Sequence, residues 1–247
     1  VIITERNKEL GGVLRLAGLI PKVYTRELLN IIRWMSKKLE GMRNVEIRLN
    51  EEAKEETLRD LAPDAVILAT GSNQVPAQNS IRNGLNVKSV DEVIKYGIKG
   101  ERVLVYGFHY GVEIALSLAR EGRKVFLADS VSPRLVDDGR PFFDNIPYMA
   151  RPRLFMIGGL LKEAGVEILS NTELMFAERG HVKIRTDGET RTIVADALVM
   201  ANMREPDLAM EDVLNRLGVA YLKAGDCVQP RSMMEAIHEG AKAGMEI

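Results

Sequence analysis

The chain sets out the same structural pattern twice, and that repetition constrains its fold more than any other feature. Val45-Glu46-Ile47-Arg48-Leu49-Asn50, which follows a helical pattern, matches Val166-Glu167-Ile168-Leu169-Ser170-Asn171. Pro63-Asp64-Ala65-Val66-Ile67-Leu68-Ala69-Thr70 matches Ala195-Asp196-Ala197-Leu198-Val199-Met200-Ala201-Asn202, with the same Asp-Ala start and the same apolar run closed by Ala. Val1–Glu5 then falls against Val125–Asp129, each an apolar strand ending in an acid. Residues 103–124 are left without a counterpart before Val1. The first strand is central in the 3-2-1-4-5 order of doubly wound sheets, so the N-terminal series is expected to lack its central strand, glycine turn and first helix. Removing that strand leaves its neighbours about 10 Å apart, twice the roughly 4.8 Å of a paired ladder. A longer polypeptide, a partner chain or a different pairing of Val1–Thr4 is then expected to fill the space.

Apolar strand runs alternate with helical patterns along both series, which predicts a mostly parallel α/β sheet. The first series holds Val1–Ile3, a helix from about Arg26 to Glu40, Val45–Leu49, a short acidic helix near Glu51–Leu61 and Ala65–Ala69. Thr25 is placed to cap the long helix, Leu28, Ile32, Met35 and Leu39 share one face, and Gly41 stops it. The second series holds strand Val103–Tyr106, a glycine turn, helix Val112–Glu121, strand Lys124–Ala128, helix Pro152–Ala164 and strand Val166–Leu169. Val182–Arg185 and Thr190–Ala195 flank Asp187-Gly188, a hairpin signal.

Composition narrows the chemistry. With 34 Lys+Arg against 35 Asp+Glu the formal charge is −1, so there is no cationic excess to hold a nucleic acid. No apolar run approaches the roughly 20 residues of a membrane span, and the start lacks a secretory pattern, so the chain reads as cytoplasmic with no membrane partner. The single cysteine, Cys227, excludes an internal disulfide and a Cys-x-x-Cys pair. The histidines, His109, His181 and His238, show no metal-ligand spacing, and no metal is assigned.

Two acids stand where dinucleotide folds bind a ribose hydroxyl, Glu5 and Asp129. Asp129 lies 22 residues after Gly107 and 18 after Gly111, bracketing the spacing of about 20 expected between a glycine fingerprint and its acid. The turn reads Tyr106-Gly107-Phe108-His109-Tyr110-Gly111-Val112-Glu113, a Gly-x-x-x-Gly without the middle glycine that lets a pyrophosphate approach the backbone. Phe108, His109 and Tyr110 either stack on an adenine or plug the site. Arg134, Arg140, Arg151 and Arg153 sit in or beside a Pro/Asp/Gly-rich connection that reads as a solvated loop.

Glu5-x-x-x-x-Leu10-Gly11-Gly12, the Asp64 to Ser72 stretch, and Gly225-Asp226-Cys227-Val228-Gln229-Pro230-Arg231 leading into Glu235 to Gly240 resemble the FAD- and NAD(P)-binding region of the pyridine-nucleotide oxidoreductases. The resemblance is closest to the C-terminal part of 2,4-dienoyl-CoA reductase and trimethylamine dehydrogenase. It implies that Glu5 takes the FAD adenosine ribose and that Gly11 and Gly12 let the chain pass close to the cofactor. Ala69, Thr70 and Gly71 are then similar to the crossover into an inserted NAD domain. Asp226, after Gly225, takes the ribityl or pyrophosphate end, and the last helix points its N-terminus towards the flavin. The chain departs from the family at Ala201-Asn202-Met203-Arg204-Glu205-Pro206, where Met203 stands for a glycine, and it has no barrel with FMN and an iron–sulfur cluster.

The expectation is therefore an α/β protein of two interleaved doubly wound units with a small antiparallel crossover layer. Residues 1–74 and 195–247 form the FAD-type unit, and 75–194 the inserted NAD(P)-type unit. The resemblance implies an oxidoreductase module passing hydride from NAD(P)H to FAD, with no side chain acting as an essential acid or base. The rival reading is a non-catalytic remnant or subunit, with weak or absent binding of FAD and NAD, that acts through a partner chain. Association of copies is left open.

Overall fold

The computed structural model describes residues 1–75, 84–135, 141–143, 151–201 and 204–247. The chain divides into two units, Val1–Leu19 with Tyr24–Asn73 and Glu205–Ile247, and Ile20–Val23 with Gln74–Arg204. Arg140 and residues 202–203 lie outside the described residues, as does the side chain of Arg151.

In chain order the first elements are β1 (Ile2–Glu5), α1 (Gly12–Gly18), α2 (Glu27–Glu40), β2 (Glu46–Leu49), α3 (Glu55–Leu61), β3 (Ala65–Leu68) and β4 (Ser72–Gln74). There follow β5 (Asn86–Ser89), α4 (Val90–Tyr96), β6 (Arg102–Tyr106), α5 (Phe108–Arg120) and β7 (Lys124–Ala128). Two short strands, β8 (Arg134–Leu135) and β9 (Pro141–Phe142), precede α6 (Arg151–Glu163) and β10 (Glu167–Leu169). Then come β11 (Thr172–Glu178), β12 (His181–Thr186), β13 (Glu189–Val194) and β14 (Ala197–Met200). β15 (Arg204–Pro206), α7 (Glu211–Leu217), β16 (Ala220–Lys223), a 3-10 turn at Gly225–Cys227 and α8 (Met233–Glu246) close the chain.

The second unit is built on a five-stranded parallel sheet in the order β10-β7-β6-β14-β5. Strands buried on both faces carry unbroken apolar runs, and Val103, Leu104, Val105 and all of Ala197–Met200 are buried. One core packs Val105, Val125, Leu127 and Val199 against α5 and α6; the other packs Leu104, Phe126 and Leu198 against Val182 and Ile184. Those last two belong to an antiparallel sheet, β11-β12-β13. Its hairpin turns on Asp187 and Gly188, both at positive φ (49° and 86°), the geometry that the Asp-Gly pair favours. β14, assigned by the sequence reading to the returning segment, lies between β6 and β5, and the unit ends at Arg204.

The first unit holds two separate parallel pairs, β1-β2 and β3-β16. The internal repeat is visible here in the register. Ile2, Ile3 and Thr4 face Glu46, Ile47 and Arg48, as the matched Phe126, Leu127 and Ala128 face Glu167, Ile168 and Leu169. The matched asparagines after β2 and β10, Asn50 and Asn171, both take left-handed backbone (φ 55° and 48°). A small core of Leu58, Leu68, Leu214 and Cys227 lies under β3.

Two local expectations are corrected. Thr25 does not cap α2: Arg26 already has helical angles, the first turn is closed by Leu28 N–H donating to the Thr25 carbonyl, and the Thr25 side chain is packed away from solvent. The helix expected from Val112 begins at Phe108, because Gly107 alone makes the turn at φ 112°.

Asp196 fixes the start of β6. Its Oδ2 accepts from the Glu101 and Arg102 amides (3.0 and 2.9 Å), and its Oδ1 from the Arg102 guanidinium (2.7 Å). These bonds, that of the Arg102 side chain foremost, hold its carboxyl down at about 2 against an ordinary 3.8. The folded value is the lower one, so the stabilisation is complete above about 3.8 and is lost as the pH falls towards 2. Asp196→Asn is expected to cost about 1 kcal/mol at neutral pH and to flatten the acid limb of stability between those values, as read by urea denaturation against pH. Cys227 is buried with its thiol donating to the Leu68 and Ala224 carbonyls (2.9 and 3.2 Å). Cys227→Ala is expected to keep the fold and lower stability by about 1 kcal/mol, read as a shift in the urea midpoint without a change in slope.

Candidate functional site

In the first unit the candidate residues gather at the C-terminal ends of β1 and β3. Carboxylates end strands readily, and Glu5 closes β1 with its Oε1 accepting from the Asn7 amide and side chain (2.7 and 2.6 Å). Gly11 (φ 116°) is required by packing: a Cβ there would come within 2.8 Å of Ile32 on α2. Gly12 (φ 45°) opens α1 with free space around it, as a passage beside a ligand needs.

After β3 the chain runs through Ala69, Thr70 and Gly71. Thr70 Oγ1 donates to the Asp207 carbonyl (2.5 Å), and the Asp207 amide donates to the Gly71 carbonyl (3.0 Å). Gly71 (φ 77°) likewise has open space where a Cβ would stand. Arg6 lies 3.8 Å from the Asp207 carboxylate, which ties the end of β1 to this passage. Ser72 Oγ donates to Asp226 Oδ2 (2.9 Å), and the Arg231 amide to Asp226 Oδ1 (3.4 Å). The turn bearing Asp226 is held from α8: the Gly225 amide donates to Glu239 (2.8 Å), which also pairs with the Arg231 guanidinium. Ser232 caps α8 by accepting from the Met234 amide (3.2 Å), and Glu235 completes a capping box. The bond from Ser232 holds the Glu235 carboxyl below its usual range.

The structure thus bonds Thr70 and Gly71 to Asp207, and through Ser72, next in the chain, brings Asp226 and the Gly225 turn to the same passage; Ala69 makes no side-chain bond there, Glu5 closes β1 and Gly12 opens α1. Asp207, which orders the passage, has no signal in the sequence, because it acts through its own backbone carbonyl and amide on the Thr70 hydroxyl and the Gly71 carbonyl, more than 100 residues away.

In the second unit the glycine turn, the helix and the acid are contiguous. The Gly107 amide donates to the Ala128 carbonyl (2.8 Å), and the next amide, on Phe108, donates to Asp129 Oδ2 (2.6 Å). Asp129 Oδ1 also accepts from Ser130 and Val131 (3.2 and 3.4 Å). Gly111 performs a packing role: a Cβ there would meet Val105 at 3.0 Å, Ala201 at 3.2 Å and Leu127 at 3.3 Å. Phe108 neither plugs the mouth nor offers a face to an adenine, since it is fully buried and meets Phe143 edge-on at 5.1 Å. His109 and Tyr110 are half-buried. Burial pushes the His109 pKa down, opposed by the Asp129 charge, and burial pushes the Tyr106 hydroxyl up. Arg153 pairs with Glu113, and Arg134 stacks on the Phe142 ring at 5.1 Å, so neither is a free loop cation.

This donor set fits FAD in part. A ribose acid, a glycine passage with open space and a buttressed Asp226 are present, whereas no strand, glycine turn and long helix stand together among the first unit's described residues to take a pyrophosphate. For a nicotinamide dinucleotide the second unit has the strand, turn, helix and acid, but the acid already holds the first helical amide. Among the described residues no group of acids, cysteine and histidines is placed to hold a metal, and no helix is long and apolar enough to cross a membrane.

No protein-family model matches the chain. It is 26% identical over 266 residues to N,N-dimethylglycine/sarcosine dehydrogenase of Chromohalobacter salexigens, covering 99% of this chain and 36% of that protein. It is 26% identical over 257 residues to NADH oxidase of Thermoanaerobacter brockii, covering 100% of this chain and 37% of that one. Among solved structures, 2-naphthoyl-CoA reductase with 2-naphthoyl-CoA matches at 25% identity and a TM-score of 0.83, over 100% of this chain and 36% of that one. Histamine dehydrogenase from Rhizobium sp. 4-9 has the same fold, with a TM-score of 0.79 at 20% identity, over 100% of this chain and 38% of that one. The chain spans 36 to 37% of the length of the curated relatives it matches first. Along its whole length it is similar to part of the pyridine-nucleotide oxidoreductases of the 2,4-dienoyl-CoA reductase and trimethylamine dehydrogenase type.

Proposed function

We propose that residues 1–247 form an oxidoreductase module that passes hydride from NAD(P)H to FAD, with the first unit of FAD type and the second of NAD(P) type. The observation that carries this reading is the bonded group at Gly71, Ser72 and Asp226, found in a chain whose full length matches proteins named as an NADH oxidase and a dehydrogenase. FAD, when bound, accepts the hydride as the nicotinamide becomes oxidised. The chain's part is to bind and orient. Glu5 accepts from ribose hydroxyls, Asp226 accepts from a polyol hydroxyl, and Gly12 and Gly71 leave room for the ligand to lie against the backbone. The capped start of α8 directs its positive end at developing negative charge. Completion of the first unit from outside residues 1–247 belongs to the same reading.

A second reading, a non-catalytic subunit that keeps the fold and acts through a partner chain, is favoured by one observation. Asp129 satisfies the Phe108 amide at the helix start, where a dinucleotide's phosphates would look for donors.

Titration of NADH and NADPH into the wild type separates the two readings. Under the first, NADH binds more tightly, because a carboxylate accepts from a 2′-hydroxyl and repels a 2′-phosphate. Asp129→Ala is then expected to shrink that preference by about tenfold, roughly 1.4 kcal/mol. Absence of binding by either nucleotide overturns the hydride reading in favour of the second. Added FAD is expected to be lost from 1–247 on gel filtration, leaving no absorbance between about 350 and 500 nm, because a pyrophosphate finds no glycine turn in the described first unit.

A further inference from the structure

A cavity of about 130 Å³ lies in the second unit between α4, the chain that leaves it at Gly97 and Ile98, and the C-terminal half of α5. Val93, Ile94, Ile98, Ile114 and Leu118 line it with hydrocarbon, and Pro21 adds a further apolar wall. The space has structural causes. Gly97 (φ 64°) ends α4, and nothing stands within 4 Å of where its Cβ would be. Pro21 is held from both sides, because Ile20 and Val23 are buried in the same core as α5. Lys22 Nζ donates to the Arg120 carbonyl (2.8 Å), and the Arg120 guanidinium donates to the Lys22 carbonyl (2.7 Å). Lys22 takes left-handed backbone in this turn (φ 56°), a conformation that persists in a lysine only where its surroundings fix it.

One polar side chain in the lining has nothing to bond. Ser117 is 3% exposed, and its hydroxyl has no hydrogen-bond partner among the described residues. A serine inside a helix can return its hydroxyl to the carbonyl four residues back, and Ser117 does not. Gly97 and Glu121, which also line the cavity, are already bonded. The Gly97 amide donates to the Val93 carbonyl (2.8 Å), the Gly97 carbonyl accepts from Lys88 Nζ (2.6 Å), and Glu121 pairs with Arg123 (3.3 Å). A buried water needs about two to four polar partners, and a lone hydroxyl among hydrocarbon offers too few. An apolar cavity of about 150 Å³ stays dry and takes benzene.

We propose that this cavity binds a small neutral molecule with an apolar body of about six carbons and one hydroxyl or carbonyl oxygen, the oxygen meeting Ser117. The volume sets the size and the walls set the apolar body. The free hydroxyl can donate and accept, and so selects an oxygen that completes it. An anionic group is rejected, because losing its water is costly and the one charged residue in the lining, Glu121, is itself an acid. The cavity lies at the far end of α5 from Gly107 and Asp129. The inference therefore stands whether or not the second unit delivers hydride.

Methyl NMR of 1–247 titrated with phenol, benzene and benzoate tests it. Phenol is expected to shift the Val93, Ile94, Ile98, Ile114 and Leu118 methyl signals saturably, with a Kd of about 1 mM or tighter. Benzene is expected to bind more weakly at the same methyls, and benzoate to leave them unmoved. Ser117→Ala keeps the cavity and removes the hydroxyl, so phenol is expected to bind about three- to tenfold more weakly while benzene binds as before. Ser117→Leu fills the space and is expected to abolish the shifts from both. Absence of saturable shifts with phenol in the wild type overturns the proposal, as does benzoate binding as tightly as phenol. Equal phenol affinity in wild type and Ser117→Ala also overturns it, and this comparison decides alone if Ser117→Leu does not fold. Persistence of the shifts in a folded Ser117→Leu protein overturns it too.

Discussion

The parallel backbone ladder around β6 is the interaction on which the ordered part of this molecule depends. β6 bonds strands on both sides, and two carboxylates, Asp196 and Asp129, take the amides at its start and just beyond its end. A strand so fixed lets the apolar runs of β6, β7 and β14 bury both faces, and the largest cores gather around it. The first unit keeps the same register between β1 and β2, and no described strand joins this pair to the pair of β3 and β16. Its strands accordingly hold much of their apolar surface in water. The contrast between the units follows from the presence or absence of one central ladder.

The candidate site follows the same logic. Open parallel sheets place ligands beyond the carboxyl ends of their strands, and Glu5, Gly71 and Asp129 all stand there. Positions close to the backbone are held by glycines, but for different reasons. Gly11 and Gly111 yield space to neighbouring side chains, whereas Gly12 and Gly71 face open space. The Asp226 turn is ordered by the Ser72 hydroxyl, the Arg231 backbone amide and the Glu239 carboxylate, so groups from distant parts of the chain present one carboxylate.

Much of the fold was legible from residues. The matched Val45–Asn50 and Val166–Asn171 segments became β2 and β10 in equivalent registers, because alternation and strand ends are local properties. The Asp187-Gly188 turn was legible for the same reason. Thr25 and Phe108 were misread because each answers to packing: the Thr25 side chain is buried instead of capping, and Phe108 is drawn into the core beside Phe143.

The sequence by itself determined the α/β class, the repeat and the acids that close β1 and β7, since each is written in residue order and periodicity. Only the tertiary structure decided that Asp129 turns onto its own helix amide, that Asp207 and Ser72 order the crossover, and that β14 lies between β6 and β5. These rest on bonds between groups tens to more than 100 residues apart, and no local pattern encodes which distant backbone group a side chain will meet when the core closes.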